Sequence, residues 1–505
     1  MTENRRRFFC NGFLLTLVAL VMRTVALFFG AYVTRAVGAV GMGLYTLVST
    51  VYGFAVTLAT SGVSLTVTRL VASSIGREDG RGVSRVLRGA FLYSAAFGTL
   101  ATAGLFLLSD LLAVRLMGVA DLAVSMKILS ISLIPVAMSA VVAGYFVGVR
   151  RVGFNAAVQV ASQILKIPLT VWLVEEFRTH GDASSVAALC LALTVTETVS
   201  FLIILLELAL DRARHRVKGG GMEFGSVAKT ALPLGASAYV RSALITLEHS
   251  IIPKRLSAGG EGREESFAAY GALHGMALPL ILYPMAAISS FAGLLVPEFA
   301  ECSSRSDRGR ANRIGAEAIN TTLKFATVCA TFLFVFAEEL GYTVYDSYSA
   351  GYYIAMLAPV VPIMYLDHVT DAMLKGVGEQ VYSMWVNITD SFISIILVWT
   401  LIPRLGILGY AIAIIGMEAY NFTLSAIRLS RHVAVRPDLF GSVLIPLVLS
   451  LASGSIALSL FSMNGQVTTP KWLALKMLFA LCILIASHTV VKILFSRSKK
   501  VAKKC

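Results

Sequence analysis

Fourteen predominantly apolar runs alternate with short polar segments along the chain. They lie at about 10–34, 43–72, 88–110, 124–149, 154–176, 185–209, 226–251, 268–297, 315–338, 350–374, 381–402, 406–428, 439–462 and 472–495. Each reaches the roughly 20 residues that carry an α-helix across the hydrocarbon of a bilayer. The pattern predicts an all-α integral membrane protein with about 14 transmembrane helices. Several of the longer runs contain Gly or Pro, which predicts tilt or kinks. Between the first two runs, Gly38 to Gly43 predicts a glycine-rich turn.

The polar segments carry a second pattern. Arg5–Arg7, Arg77/Arg81/Arg85/Arg88, Arg150/Arg151, Arg212/Arg214/Arg216/Lys218, Arg305/Arg308/Arg310/Arg313, Arg428/Arg431/Arg436 and Arg497/Lys499/Lys500/Lys503/Lys504 all fall on one side if every run spans. The alternate loops are poor in Lys and Arg and hold Asp110 with Asp121, Glu175 and Glu176 with Asp182, and Glu338 with Glu339. Basic loops are retained in the cytoplasm, so the alternation predicts both termini inside a bacterial cytoplasmic membrane. The segment 253–266, mixed in charge, fits this pattern least well. Arg5–Arg7 before an apolar run imitates a secretory signal. Arg23 interrupts that run and no small-residue cleavage site follows, so an uncleaved first helix is expected.

Composition agrees. The chain of 505 residues is 57% hydrophobic and 14% charged, which excludes a soluble domain. Its net charge of +14 is carried largely by the short loops and calls for no nucleic-acid partner. Six cysteines at 10, 190, 302, 329, 482 and 505 form no CxxC pair, and most lie in or beside apolar runs. They support neither a disulfide framework nor a zinc site, and read as small packing residues.

An internal echo appears at a shift of 228 residues. Gly144-Tyr-Phe-Val-Gly148 falls on Ala372-Met-Leu-Lys-Gly376, and Ser61 to Ala72 falls on Ser289 to Ala300. Pro135 and Pro362 precede the two closing glycines at nearly the same distance. This predicts two six-helix lobes of like orientation, 1–224 and 225–436, followed by 437–505 with two further spans and a basic tail. Parallel repeats of this kind place a transporter's substrate site between the halves.

Several segments, in order and spacing, resemble the stage V sporulation protein B-like polysaccharide transporters. That family belongs to the superfamily that also holds the lipid II flippases and the multidrug and toxin extruders. The segments are Val21 to Ala72, Gly144-Tyr-Phe-Val-Gly148, Lys229-Thr-Ala-Leu-Pro233, Ala269-Tyr-Gly-Ala-Leu-His-Gly-Met-Ala-Leu-Pro279, Leu294-Leu-Val-Pro-Glu298, Tyr365 to Gln380 and Ile402 to Tyr410. The likeness covers roughly residues 10 to 430. It implies translocation of a lipid-linked oligosaccharide, a polyprenyl-diphosphate precursor of cell-envelope or spore-cortex assembly. One departure stands out. Lipid II flippases carry a further arginine about two turns past the position of Arg23, where this chain has Leu27-Phe28-Phe29.

No Walker loop, nucleophile elbow or paired-carboxylate motif is present, so the expectation is a transporter and not an enzyme. A charge inside an apolar span costs about 3 kcal/mol on insertion scales and usually faces a polar interior. Arg23 and Arg241 lie near the middle of spans 1 and 7, which the repeat makes partners. Their planar forks suit a diphosphate; alternatively each pairs with a buried acid and pins two helices. Arg69 binds substrate or snorkels to lipid headgroups. Gln159, Gln163 and Lys166 share one face of span 5 and read either as cavity lining or as interhelical hydrogen bonding. Asp367, Asp371, Asp390 and Glu248 are candidates for coupling to Na⁺ or H⁺, or partners for the buried cations. His249 and His368 neighbour these acids. Glu197, Glu207, Lys324 and Glu418 read as packing or interfacial residues, His274 and His488 as satisfied ones. Tyr342, Tyr345, Tyr348 and Trp472 read as an interfacial belt.

No metal or other cofactor is expected. The expected partners are the polyprenyl-diphosphate-linked sugar, membrane lipids and cell-envelope synthases. A hydrophobic groove beside spans 13 and 14 would hold the lipid tail. The alternatives are a cation-coupled multidrug exporter on the same fold and a non-transporting scaffold that recruits synthases. The topology is directly testable in a cysteine-free background. Single cysteines at 182 or 339 should be labelled from outside the cell, and cysteines at 81, 214, 308 or 431 should not. Reversed labelling at either group contradicts fourteen spans.

Overall fold

The computed structural model describes residues 3–60, 62–77, 79–149, 151–214, 224–435, 437–462 and 469–502. Ser61 of the repeat, Cys505 and the basic residues Arg150, Arg216, Lys218, Arg436, Lys503 and Lys504 lie outside the described residues. The chain is all-α. In order the helices are α1 (Glu3–Thr60), α2 (Val63–Gly76), α3 (Gly80–Leu111), α4 (Leu122–Gly148), α5 (Val152–Phe177), α6 (Asp182–Arg214), α7 (Phe224–Ala258), α8 (Arg263–Tyr270) and α9 (Leu278–Ile281). They continue with α10 (Met285–Ser304), α11 (Arg308–Val335), α12 (Ala337–Tyr345), α13 (Tyr348–Leu357), α14 (Val361–Gly376), α15 (Gln380–Leu405), α16 (Ile407–Leu429), α17 (Ile445–Ser462) and α18 (Pro470–Ala502).

Among the described residues, 12 helical stretches are long and apolar enough to cross a membrane. One of them, the 56-residue stretch Val21–Gly76, holds expected spans 1 and 2. Expected span 7 is helix α7, which is outside the twelve because Lys229, Arg241, Glu248, Lys254 and Arg255 dilute its apolar character. Expected span 8 is broken by a π turn at Gly271–Ala277, and its spanning helix begins at Met285.

The glycine-rich turn is narrower than the sequence suggests. Helix α1 runs on across it, and the break is confined to Gly38 at φ 79°, ψ 174°. An L-residue rarely adopts that φ, so glycine is required there. Gly43 is helical and serves packing instead: a Cβ there would sit 2.2 Å from the Phe267 carbonyl oxygen of α8. In lipid, helices associate through such close backbone approach, since apolar burial gives no advantage over lipid tails.

The chain divides into two compact units, 1–271 with 395–406, and 272–394 with 407–505. In the first unit α4 is central, buried along its length by Leu129, Leu133, Ala137, Val141 and Phe146 and packed by α1, α2, α3 and α6. Helix α7, the first span of the second half in the sequence reading, lies in this unit along α1. In the second unit α14 is central, packed by α10, α11 and α16.

The 228-residue echo is built into the packing. A Cβ on Gly148 would meet Thr68 O at 3.1 Å and Val71 Cγ1 at 3.0 Å; one on Gly376 would meet Val296 O at 2.8 Å and Phe299 Cβ at 2.6 Å. Thr68, Val71 and Gly148 shift onto Val296, Phe299 and Gly376. The helix ends repeat as well. Asp79 caps α3 by accepting from the Gly82 N–H, and Asp307 caps α11 by accepting from the Arg310 N–H. After α4, Arg151 N–H donates to Phe146 O at 2.8 Å; after α14, Glu379 N–H donates to Leu374 O at 2.9 Å. Each of these pairs is again 228 residues apart.

Side chains at the last of these equivalent positions differ in sign. Arg151 pairs with Asp211 at the end of α6, and Asp211 also accepts from Tyr145 Oη at 2.6 Å. Glu379, the counterpart of Arg151, pairs with Arg428 at the end of α16 at 2.8 Å and with His432 at 2.9 Å. Both halves therefore tie the connection after their central helix to the end of a later helix, with opposite polarity. The hydrogen bonds from Arg428 and then His432 hold the Glu379 carboxyl below the usual carboxylate range. Its stabilisation is present above the ordinary glutamate pKa and is lost as pH falls through the depressed one. Glu379→Arg should lower the thermal midpoint in detergent at pH 7. Glu379→Arg with Arg428→Glu should recover most of the loss, and no recovery in the double variant would show that the pair is incidental.

Candidate functional site

Helix α5 carries the predicted polar stripe, with Gln163 and Lys166 half-buried and Gln159 exposed. Helix α6 answers it. Cys190, Thr194 and Glu197, spaced four and three residues apart, fall on one face of α6. That face turns inward: Thr194 Oγ1 donates to Ile128 O of α4 at 3.1 Å, and Ser200 Oγ lies 2.5 Å from Ser162 Oγ of α5. Glu197 and Lys166 are consequently within each other's electrostatic reach, both half-buried. From α1, Tyr52 hydrogen-bonds Ser132 of α4 at 2.7 Å and also lies within reach of Glu197. The first unit thus holds a lysine, a glutamate and hydroxyls drawn from α1, α4, α5 and α6. Such a set can hold an anion on the ammonium and sugar-type hydroxyls on the amide and hydroxyl groups.

The sequence reading treated Glu197 as a packing residue. A carboxylate flanked by Thr194, Thr196, Thr198 and Ser200 inside an otherwise apolar run was the available signal.

A second polar seam joins α7 to α1 and α8. His249 Nδ1 lies 2.8 Å from Tyr270 Oη, Glu248 is within electrostatic reach of Tyr270, and Thr246 Oγ1 donates to Thr50 O at 3.3 Å. Arg23 on α1, Arg69 on α2 and Arg241 on α7 have exposed side chains.

The remaining candidates lie in the second unit. Asp371 pairs with Lys375 at 2.6 Å and accepts from Ser383. Asp367 and His368 on α14 and Asp390 on α15 are half-buried. His274 Nε2 lies 2.8 Å from Tyr410 Oη. Lys324 and His488 line a cavity of about 330 Å³ with Phe325, Val328, Pro446, Leu484, Ile485 and Thr489, drawn from α11, α17 and α18. Lys476, 8% exposed, ties α18 to Glu339 of α12 at 2.6 Å.

A family model described as "Polysaccharide biosynthesis protein" matches residues 8–303. The chain belongs to the polysaccharide biosynthesis protein family. Among relatives of this family member, stage V sporulation protein B of Bacillus subtilis (strain 168) is 24% identical over 419 residues, covering 81% of this chain and 80% of the relative. Sporulation protein YkvU of the same organism is 22% identical over 430 residues, covering 83% and 94%. Its fold is that of solved transporters. The lipid II flippase MurJ in an inward closed conformation superposes with a TM-score of 0.71 at 12% identity, covering 96% of this chain and 100% of that one. An inward-facing multidrug resistance MATE family transporter of the MOP superfamily superposes at 0.64 and 17% identity, covering 83% and 98%.

In this member of the family, replacing Lys166 by Met leaves Glu197 without its cation. Stranding a partly buried carboxylate costs on the order of 2 kcal/mol. Lys166→Met should therefore reduce the melting temperature in detergent, and adding Glu197→Gln should restore it. Equal stability of the native and Lys166→Met proteins would show that the two charges do not depend on each other.

Proposed function

We propose that the protein is a flippase that moves a lipid-linked, diphosphate-bearing saccharide precursor of the cell envelope across the bacterial cytoplasmic membrane by alternating access, with both termini cytoplasmic. Coverage carries this reading over drug export. The lipid II flippase fold accounts for 96% of the chain, whereas the MATE fold accounts for 83%. The family match and the sporulation relatives support a saccharide pathway. Arg23, Arg241 and Lys166 hold the diphosphate, with Arg69 assisting and Gln159 and Gln163 reading sugar hydroxyls. The apolar cavity between α11, α17 and α18 suits a lipid tail. Asp367, Asp371, Asp390 and Glu248 are the candidates for ion coupling. Cation-coupled drug export is the second reading, favoured by the interior carboxylate of Glu197.

The arginine assignment is tested by two variants measured for both abundance and transport. Arg23→Lys keeps the charge and loses the fork, so transport of a polyprenyl-diphosphate saccharide in vesicles should fall by tenfold or more, on the order of 1.4 kcal/mol. Arg23→Ala should abolish it while the protein still accumulates in the membrane. Normal transport per folded molecule in Arg23→Ala would remove the diphosphate role.

A further inference from the structure

The cavity between α11, α17 and α18 is apolar along its walls and cationic at its polar end. Its volume is about 330 Å³, roughly twice what admits a benzene ring. Phe325, Leu484 and Ile485 are among its walls, and Lys324, His488 and Thr489 bring polar groups to it. The Thr489 hydroxyl donates to the Ile485 carbonyl at 2.7 Å, so its proton is spent. Lys324 and His488 are left as the donors, and both side chains are exposed. Among the described residues, no carboxylate lines the cavity.

Lys324 lies near the middle of the apolar run 315–338, where a lysine without a counter-charge is costly. With no carboxylate at the cavity, it draws that counter-charge from outside the chain. Helix α11 starts at Arg308, on the side proposed as cytoplasmic. Helical Cα–Cβ bonds tilt toward the N-terminus, so the Lys324 stem leads toward the cytoplasmic headgroups. Helix α18 leaves the cavity in the same direction, and its sequence adds Lys492, Arg497, Lys499 and Lys500 beyond His488. Basic pockets between helices at a cytoplasmic leaflet hold anionic lipid headgroups. Charge selects among them. One ammonium and one imidazole N–H match the single charge and the second oxygen of a phosphodiester, whereas a diphosphate would leave charge in excess.

We propose that this cavity binds one anionic phospholipid of the cytoplasmic leaflet, with its phosphodiester on Lys324 and His488 and an acyl chain along Phe325, Leu484 and Ile485. The claim concerns a lipid of the bilayer and goes beyond the flippase reading, because it holds whatever the protein transports. Bound there, the lipid bridges α11 to the C-terminal helix pair, whose members α17 and α18 pack on one another.

Native mass spectrometry of the full-length protein tests this, with titration in detergent by phosphatidylglycerol or by zwitterionic phosphatidylethanolamine of the same chains. The native protein should retain one phosphatidylglycerol more tightly than phosphatidylethanolamine. Lys324→Met should weaken phosphatidylglycerol binding by about fivefold and leave phosphatidylethanolamine unchanged, and Lys324→Arg should restore the preference. Ile485→Trp fills the apolar end while keeping the charge, so it should weaken both lipids. Lys324 and Ile485 are both exposed, so neither change disturbs a buried core. Equal retention of the two lipids by the native protein, or phosphatidylglycerol held as tightly by Lys324→Met, overturns the proposal. Indifference to Ile485→Trp would show that Lys324 meets bulk headgroups without the cavity, and overturns it as well. Displacement of phosphatidylglycerol by farnesyl diphosphate would assign the cavity to the transported lipid instead. That outcome leaves the flippase reading standing and removes the phospholipid site.

Discussion

A charge surrounded by hydrocarbon must be compensated inside the protein, and the interior of this molecule is arranged around that requirement. Lys476 pairs with Glu339 and Asp371 with Lys375, each at 2.6 Å, and Lys166 lies within electrostatic reach of Glu197. Each compensation joins neighbouring turns or neighbouring helices, so the same pairs that make the charges tolerable also set helix positions. The Lys166–Glu197 pair differs from the other two in its surroundings. Tyr52 of α1, within reach of Glu197, hydrogen-bonds Ser132 of α4, and Ser162 of α5 lies against Ser200 of α6, whereas Lys476 and Glu339 tie one helix end to another.

The second constraint is close backbone approach. Gly43 against α8, Gly148 against α2 and Gly376 against α10 admit neighbours that any side chain would displace. Because lipid tails remove the hydrophobic drive between helices, these contacts and the short hydrogen bonds beside them hold the bundle. That the Gly148 and Gly376 contacts recur at one fixed shift ties the repeat to packing. The ion pairs beside them differ in polarity, with Arg151 and Glu379 of opposite sign. A reversed pair disfavours cross-pairing between the halves, since Arg151 would face Arg428 and Glu379 would face Asp211.

Much of the fold was legible in the residues. Thirteen of the fourteen runs overlap the twelve apolar stretches, the run at 268–297 only from Met285 onward, and the remaining one is helix α7. Chain length and apolar content decide those elements, and both are local. The turn at Gly38 was only half legible, because Gly38 acts through its own φ while Gly43 acts through a helix that comes more than 200 residues later. The candidate site shows the same division. The Gln163–Lys166 stripe follows from helical spacing alone. Its partner does not, because Glu197 gains its meaning from the rotation of α6 against α5, which no spacing within either helix records. Asp371 was legible as an intramembrane acid, but its pairing with Lys375 needed only the i, i+4 rule, which points to a helix-end ion pair.

Translocation itself is the central claim, and a reconstituted flipping assay meets it most directly. The purified protein is placed in vesicles with a labelled polyprenyl-diphosphate saccharide in one leaflet, and the label reaching the other leaflet is counted against protein-free vesicles. Protein-dependent movement of the diphosphate lipid, with no movement of cationic dyes, is the predicted result. Dye transport without lipid movement, or no movement of either from correctly folded protein, would contradict it.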